Sequence, residues 1–195
     1  MSVSETAFAK RATVRESTDS DVAAIQAIYA HHVNTGPASF EEVPPSNKEM
    51  AARRHDVIRR GLPYLVAEID DIIVGYAYAN LYRPRPAYRF ALEDSIYIDK
   101  DCIGRGIGTA LLSALLDRCT ALGYRQMIAV IGGGQPASIA LHARHGFQPA
   151  GKLPDVGFKF GKWLDSVLMT RPLGPGATSL PSRSPFQPTQ TGAGV

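Results

Sequence analysis

The sequence has little cysteine and no long apolar run. Its 195 residues include two cysteines, Cys102 and Cys119, which form no C-x-x-C pair. This excludes a disulfide scaffold and favours a reducing compartment. No apolar stretch approaches the roughly twenty residues that cross a bilayer, and residues 1–11 lack the apolar centre of a secretory signal. We expect a soluble, cytoplasmic protein that binds no membrane.

The sequence also lacks a strong charge of either sign. The formal net charge is +3, and the arginines are scattered instead of collected in one stripe, so we expect no nucleic-acid partner. The adjacent pairs His31-His32 and Asp70-Asp71 lack the spacing that converges on a metal ion. We predict no metal site.

The length suits one domain whose core needs no disulfide or metal. We expect a flexible segment over residues 1–11 and a folded domain over residues 12–171. Residues 172–195 are rich in proline, glycine and serine, a composition that buries too little surface to offset its ordering entropy. We therefore predict a disordered tail there.

Hydrophobic periodicity predicts eleven elements in the order β-α-α-β-β-β-α-β-α-β-β, a mixed α/β fold. Asp70-Asp71 has the character of a hairpin turn. Residues 155–162 are predicted to link the last two strands. The predicted strands cover residues 13–16, 62–68, 72–81, 90–98, 127–131, 147–151 and 163–169, and the helices cover 22–33, 46–60, 110–122 and 137–144.

A glycine-rich turn joins the strand at 90–98 to the following helix. Gly104, Gly106 and Gly108 leave backbone N–H groups free to converge, with the helix dipole, on one anion. A plain strand-to-helix connection is an open alternative. A nucleotide hydrolase loop would end in Gly-Lys-Ser/Thr, and a dinucleotide fold would have Gly-x-Gly-x-x-Gly with an acidic residue about twenty positions on. Neither pattern is present.

The element order and this turn resemble the GCN5-related N-acetyltransferase (GNAT) family over residues 12–171. That family has a twisted mixed sheet of about seven strands with four helices, and the turn pattern Arg/Gln-x-x-Gly-x-Gly/Ala, whose amides hold the pyrophosphate of acetyl-CoA. Ile103 stands where the family often has Arg or Gln. The resemblance implies that acetyl-CoA contacts Ile98, Ile103, Gly104, Arg105, Gly106, Ile107, Gly108, Thr109 and Ser138.

Five segments resemble the phosphinothricin and methionine sulfoximine N-acetyltransferases, which acetylate the α-amine of small amino-acid analogues. The usual Leu-Pro-Asn-Asp-Pro-Ser of that group is replaced here by residues 133–138, Gly-Gly-Gln-Pro-Ala-Ser. The resemblance implies an acetyl-CoA-dependent transferase with a small-molecule amine as acceptor. The matching segments are 65–68, 75–79, 85–88, 129–132 and 157–165.

Acetyl transfer needs a base, because an amine at neutral pH is mostly an ammonium ion without a free lone pair. Glu93 matches the family's glutamate and is predicted to be the general base, directly or through one water. Asp94 is expected to face the opposite side. The resemblance implies that a strand amide near Tyr97 to Ile98 stabilises the oxyanion of the tetrahedral intermediate. His142 can protonate the departing thiolate or act as a second base on the amine, and we favour the thiolate.

The acceptor's carboxylate calls for guanidinium groups. Arg83 and Arg85 lie on a loop that two prolines stiffen, and Tyr88 adds an amphipathic wall. Arg85 aligns with an arginine of the phosphinothricin group. Phe40 and Lys159 are further candidates for substrate binding. Solvated arginines on a loop, and a core position for Phe40, are the alternatives.

Family members commonly dimerise, so we expect a homodimer. Phe158, Phe160 and Trp163 are candidates for its interface, or else complete the core. Two other functions are open: acetylation of a different amine, such as a polyamine, an aminoglycoside or a peptide N-terminus, and a non-catalytic CoA-binding module. The joint presence of Glu93 and His142 argues against the module.

Overall fold

The protein folds around one mixed seven-stranded sheet with four α-helices. The computed structural model describes residues 11–182 and Pro185. Neighbouring strands follow the order β1-β2-β3-β4-β5-β7-β6 and are antiparallel except for the parallel pair β4 and β5. The elements are β1 (Thr13–Glu16), α1 (Val22–Thr35), α2 (Asn47–Arg59), β2 (Tyr64–Ile69), β3 (Ile72–Leu81), β4 (Ala91–Ile98), α3 (Ile107–Ala121), β5 (Gln126–Gly132), α4 (Pro136–Arg144), β6 (Gln148–Lys159) and β7 (Lys162–Pro172).

The predicted fold class and element order are confirmed. Local signals account for the boundaries: Ser46 caps α2 by accepting a hydrogen bond from the Glu49 N–H, and Asp70 and Asp71 form the β2–β3 turn with positive φ. Apolar faces of α1, α2 and α3 then meet the sheet. The core side chains that are most deeply buried include Ile25, Val33, Leu65, Tyr76, Leu111, Leu115 and Met127.

The last hairpin differs from the prediction. The predicted link over 155–162 is instead mostly strand, since β6 runs to Lys159 and β7 resumes at Lys162. The register of β6 against β7 shifts between Leu153 and Gly157, and Asp155, which has a φ of 52°, lies in this irregular segment. Pairing of the two strands resumes at Gly157. Alternation of apolar side chains is interrupted at this irregularity, which concealed the strand.

The C-terminal boundary lies further along the chain than predicted. Leu173 is buried, and its N–H donates to the Arg125 carbonyl at 3.0 Å. The Arg125 guanidinium donates to the Gly176 carbonyl and to the Ser179 hydroxyl. A disordered tail beginning at residue 172 therefore disagrees with the structure as far as Ser179. Residues 1–10, 183, 184 and 186–195 lie outside the described residues.

Among the helices of the described residues, none is both long and apolar enough to span a bilayer.

Candidate active site

The sheet opens where β4 and β5 diverge. Their parallel register ends with Asp94 opposite Ala129, although both strands continue. A cleft of about 890 Å³ occupies the opening, lined by β4, the end of β5, the starts of α3 and α4, and the loop after α1. Because side chains alternate along a strand, β4 contributes to both faces of the sheet at this point. The cleft therefore connects the two faces.

At one end of the cleft lies the glycine turn. Gly106 precedes α3 with a φ of 79°, a conformation that L side chains rarely adopt. The first hydrogen bond of the helix runs from the Ala110 N–H to the Gly106 carbonyl. The preceding amides of the first turn consequently have no acceptor within the helix and are free for an anion. This end of the site fits a pyrophosphate.

Most residues predicted to contact acetyl-CoA line the cleft, namely Ile98, Ile103, Gly104, Gly106, Ile107, Gly108, Thr109 and Ser138. Arg105 is not part of that lining over the described residues; its guanidinium lies 3.7 Å from the Cys102 sulfur. Ile103 is exposed beside the turn. The departure from the family's Arg or Gln therefore places an apolar side chain at the mouth of the anion site.

Glu93 is half-buried in the cleft, on the face of β4 that α1 covers. Tyr97 lies four residues further along β4, so its side chain is on the same face as that of Glu93. It packs edge-on against Tyr29 of α1 with ring centroids 5.0 Å apart. Burial raises the pKa of the Glu93 carboxyl, the charge of Asp94 adds to the rise, and Arg83 opposes it. A carboxylate with a raised pKa accepts protons more readily near neutral pH.

Asp94 faces the opposite side of β4, as expected from strand alternation. Its Oδ2 lies 2.9 Å from Nε2 of His142 on α4, and the two side chains are 1% and 2% exposed. The other imidazole nitrogen, Nδ1, lies 2.7 Å from the Ser138 carbonyl oxygen. Burial acts to lower the pKa of His142, but the hydrogen bond and charge of Asp94 outweigh it, and the net pKa is raised. Sequence reasoning found His142 but not this partner.

The loop after α1 forms a further wall of the cleft. Phe40 lines the cleft and is 37% exposed, so a core position does not describe it. A Cβ on Gly157 of β6 would collide with the Phe40 ring, which therefore sits in a notch that a missing side chain leaves. Lys159 is buried, and its ammonium donates to the carbonyls of Gly36 and Ser39 at 3.0 and 2.7 Å.

Of the five residues predicted to bind substrate, one lines the cleft and four do not. Over the described residues, the cleft lining includes Phe40 but excludes Arg83, Arg85, Tyr88 and Lys159. Lys159 holds the loop that carries Phe40. The other three lie on the exposed β3–β4 loop, where Tyr88 packs edge-on against Tyr82 at 5.7 Å. Arg83 is the member of this loop whose charge reaches Glu93.

Sequence reasoning missed a cluster of tyrosines on the face of the sheet that α1 covers. Tyr76 and Tyr97 stack with ring centroids 5.3 Å apart, and Tyr64 stacks on Tyr78 at 4.9 Å. Tyr29 donates to Glu41, and burial, the largest cause, raises its pKa to about 12, so it stays a neutral donor. The alternation of tyrosines in β3 was the available signal.

Known proteins match this chain across the same region. The sequence profile of the acetyltransferase (GNAT) family matches residues 25–147, which contain the glycine turn, Glu93 and His142. The chain belongs to the GNAT family. This confirms the family predicted from the turn and the element order.

Individual relatives extend the match over most of the chain. A phosphinothricin N-acetyltransferase from Alcaligenes faecalis is 59% identical over 170 residues, covering 87% of this chain and 86% of the relative. An L-methionine sulfoximine/L-methionine sulfone acetyltransferase from Pseudomonas aeruginosa is 38% identical and covers 84% and 96%. The crystal structure of a GNAT superfamily phosphinothricin acetyltransferase from Sinorhizobium meliloti in complex with AcCoA has a TM-score of 0.88 at 49% identity, covering 92% and 97%.

The GNAT site described above has no metal-like cluster. Across residues 11–182, no group of three or more His, Cys, Asp or Glu side chains has an arrangement that could hold a metal ion. Both cysteines are buried free thiols.

Proposed function

We propose that this GNAT protein transfers the acetyl group of acetyl-CoA to the α-amine of a small amino-acid analogue such as phosphinothricin or methionine sulfoximine or sulfone. One observation carries the proposal: a single cleft joins the free amides at the start of α3 to Glu93 on the other face of the sheet. The relatives at 59% and 38% identity, named for those acceptors, support it. We assign the activity to the domain that begins at residue 12.

The donor end of the cleft binds acetyl-CoA through backbone N–H groups. Amides of the turn from Ile103 to Thr109 hold the pyrophosphate, because the start of a helix offers N–H groups and a positive dipole to an anion. Acetyl-CoA supplies the activated acetyl thioester. Ile98 and Ser138 border the same cleft and flank the path between the turn and Glu93.

Two side chains of this site handle protons. Glu93 accepts a proton from the acceptor's ammonium group, and its half-buried position favours this role by raising its pKa. His142 donates a proton to the departing thiolate. The two groups lie on opposite faces of β4, so the amine and the departing thiolate, two substituents of the same tetrahedral carbon, can each have their own proton-transfer group.

The acceptor end is selected by charge and shape. Arg83 and Arg85 bind the acceptor's carboxylate and oxo groups from the β3–β4 loop, and Tyr88 supports that loop. Phe40 forms the wall, and Lys159 fixes the loop in which Phe40 lies. The guanidinium groups of this loop, of which Arg83 reaches Glu93 with its charge, disfavour polyamines and aminoglycosides as acceptors.

Thiol release tests the proposal. Purified protein is given acetyl-CoA with phosphinothricin, methionine sulfoximine, methionine sulfone, spermidine, an aminoglycoside and a short peptide. We expect turnover with the first three only. Turnover confined to the polyamine, aminoglycoside or peptide would contradict the acceptor class, and absence of turnover with tight acetyl-CoA binding would favour a non-catalytic binding module.

We infer a homodimer from the hairpin of β6 and β7. β6 is an edge strand, and its hairpin exposes Phe158, Phe160 and Trp163 by 56%, 57% and 66%, which excludes these side chains from the core. Exposed apolar patches on an edge strand commonly mark an interface. Light scattering should give twice the chain mass, and Trp163→Glu should give the monomer mass.

A cytoplasmic location stays a prediction, supported by two free thiols. Cell fractionation with a cytoplasmic marker tests it.

A further inference from the structure

Both ring nitrogens of His142 face atoms that accept hydrogen bonds. Nδ1 lies 2.7 Å from the carbonyl oxygen of Ser138, an atom that can only accept. Nε2 lies 2.9 Å from Oδ2 of Asp94. A neutral imidazole carries one N–H, so beside an ionised Asp94 it would leave one of these two contacts without a donor. Two N–H groups satisfy both.

Within this buried pair, each ion is the counter-charge of the other. Asp94 and His142 are both almost fully buried, and an unpaired buried charge is costly. Across from them, α3 presents the buried thiol of Cys119, whose pKa burial raises to about 12, so it is neutral at physiological pH. Phe147 packs edge-on against the imidazole at 4.9 Å. On β4 the neighbouring charge is Glu93, on the opposite face of the strand.

Resting on the function proposed above, we propose that Asp94 is a positioning residue that holds His142 as an imidazolium ion with both nitrogens protonated. The imidazolium has no lone pair to take a proton from the amine. His142 therefore serves the thiolate end of the reaction as an acid: Nδ1 gives its proton to the Ser138 hydroxyl, 3.3 Å away in the cleft lining, and that hydroxyl gives its own proton to the thiolate. Glu93 is the base for the amine. The Asp94 side chain is 1% exposed, so its effect reaches the reaction through His142.

Direct observation of the ring nitrogens tests this without catalysis. The free protein is labelled with nitrogen-15 histidine, and the His142 signals are assigned by their loss in His142→Gln. At pH 7 we expect both His142 nitrogens at imidazolium shifts in the wild type. In Asp94→Asn, whose amide can donate to Nε2 and keeps the side-chain shape, we expect a neutral ring. A neutral His142 in the wild type, or an unchanged imidazolium in Asp94→Asn, would overturn the proposal.

Kinetics give a second readout. We expect kcat of Asp94→Asn at neutral pH to fall about tenfold or more, and the alkaline limb of its kcat–pH profile to move to lower pH. The KM values for acetyl-CoA and for the acceptor should stay unchanged. Asp117→Asn, an exposed change on α3, is the control and should match the wild type in both. An unmoved alkaline limb would contradict the inference. Failure of the proposed function would differ, since wild-type thiol release would be absent while the nitrogen shifts stayed as expected.

Discussion

The two ends of the cleft are built in different ways. The donor end is one continuous segment, residues 103–109, to whose backbone amides we assign the binding of acetyl-CoA. The acceptor end collects Phe40, Glu93 and Lys159, which are separated by 53 and 66 positions along the chain. A backbone site tolerates side-chain change, as exposed Ile103 illustrates, whereas a site of assembled side chains depends on each one. Substitutions at the donor end should therefore change the KM for acetyl-CoA, whereas substitutions at the acceptor end should change kcat or the KM for the acceptor.

Glu93→Gln should have the largest effect, because it removes the proton acceptor and keeps the shape. We expect kcat with phosphinothricin to fall about 10²- to 10⁴-fold while the KM for acetyl-CoA stays unchanged. Steady-state thiol release at saturating acetyl-CoA measures it. Glu49→Gln, an exposed change on α2, should leave kcat intact. A wild-type kcat in Glu93→Gln would show that another group is the general base.

The pH profile sharpens the same assignment. Glu93 acts when it is deprotonated, and burial raises its pKa, so kcat/KM should fall with decreasing pH while the solution is still above the usual titration range of glutamate. The measurement is kcat/KM for the acceptor against pH. A wild-type profile that is flat down to that usual range would contradict a buried carboxyl base.

At the donor end, Gly106→Val should act on acetyl-CoA alone. Valine at a φ of 79° costs about 1–3 kcal/mol of stability and shifts the amides of the turn. Each lost hydrogen bond to the charged pyrophosphate is worth about 1.5–3 kcal/mol, so the KM for acetyl-CoA should rise at least tenfold. Titration calorimetry with CoA gives an independent measure.

Gly61→Val is the matched control for that variant. Gly61 has a φ of 72° after α2, with open space around it, and lies outside the cleft. We expect similar loss of thermal stability in both variants, but unchanged acetyl-CoA affinity in Gly61→Val. Equal affinities in the two variants would show that the turn at Gly106 does not hold the pyrophosphate.

Lys159→Met tests the loop at the acceptor end. Methionine fills the space but leaves the carbonyls of Gly36 and Ser39 without their donor, so the loop that carries Phe40 loses its anchor. Ordering such a loop on binding costs about 1 kcal/mol or more, which raises the KM for the acceptor several-fold without changing that for acetyl-CoA. Lys162→Met, at the exposed first position after the turn of the hairpin, should change neither KM.

This division also explains what the sequence could predict. The glycine turn, the element order and the family follow from contiguous patterns, and the helices and most strands lie where periodicity predicted them. The partner of His142 is 48 positions away, and the carbonyls that Lys159 holds are more than 100 away. Local patterns carry no information on such contacts, because tertiary packing alone brings them together.

The β3–β4 loop gives the smallest expected effect and the finest test of the acceptor end. The charge of Arg83 lowers the pKa of Glu93 against the rise that burial causes, although the loop lies outside the cleft lining. Arg83→Gln should therefore move the acidic limb of kcat/KM to higher pH. Because Arg83 is exposed, high salt should screen the effect and draw the two profiles together. Arg89→Gln, on the same loop without that influence on Glu93, should leave the limb in place, and an equal shift in both variants would mean that net charge, not position, sets the pKa of Glu93.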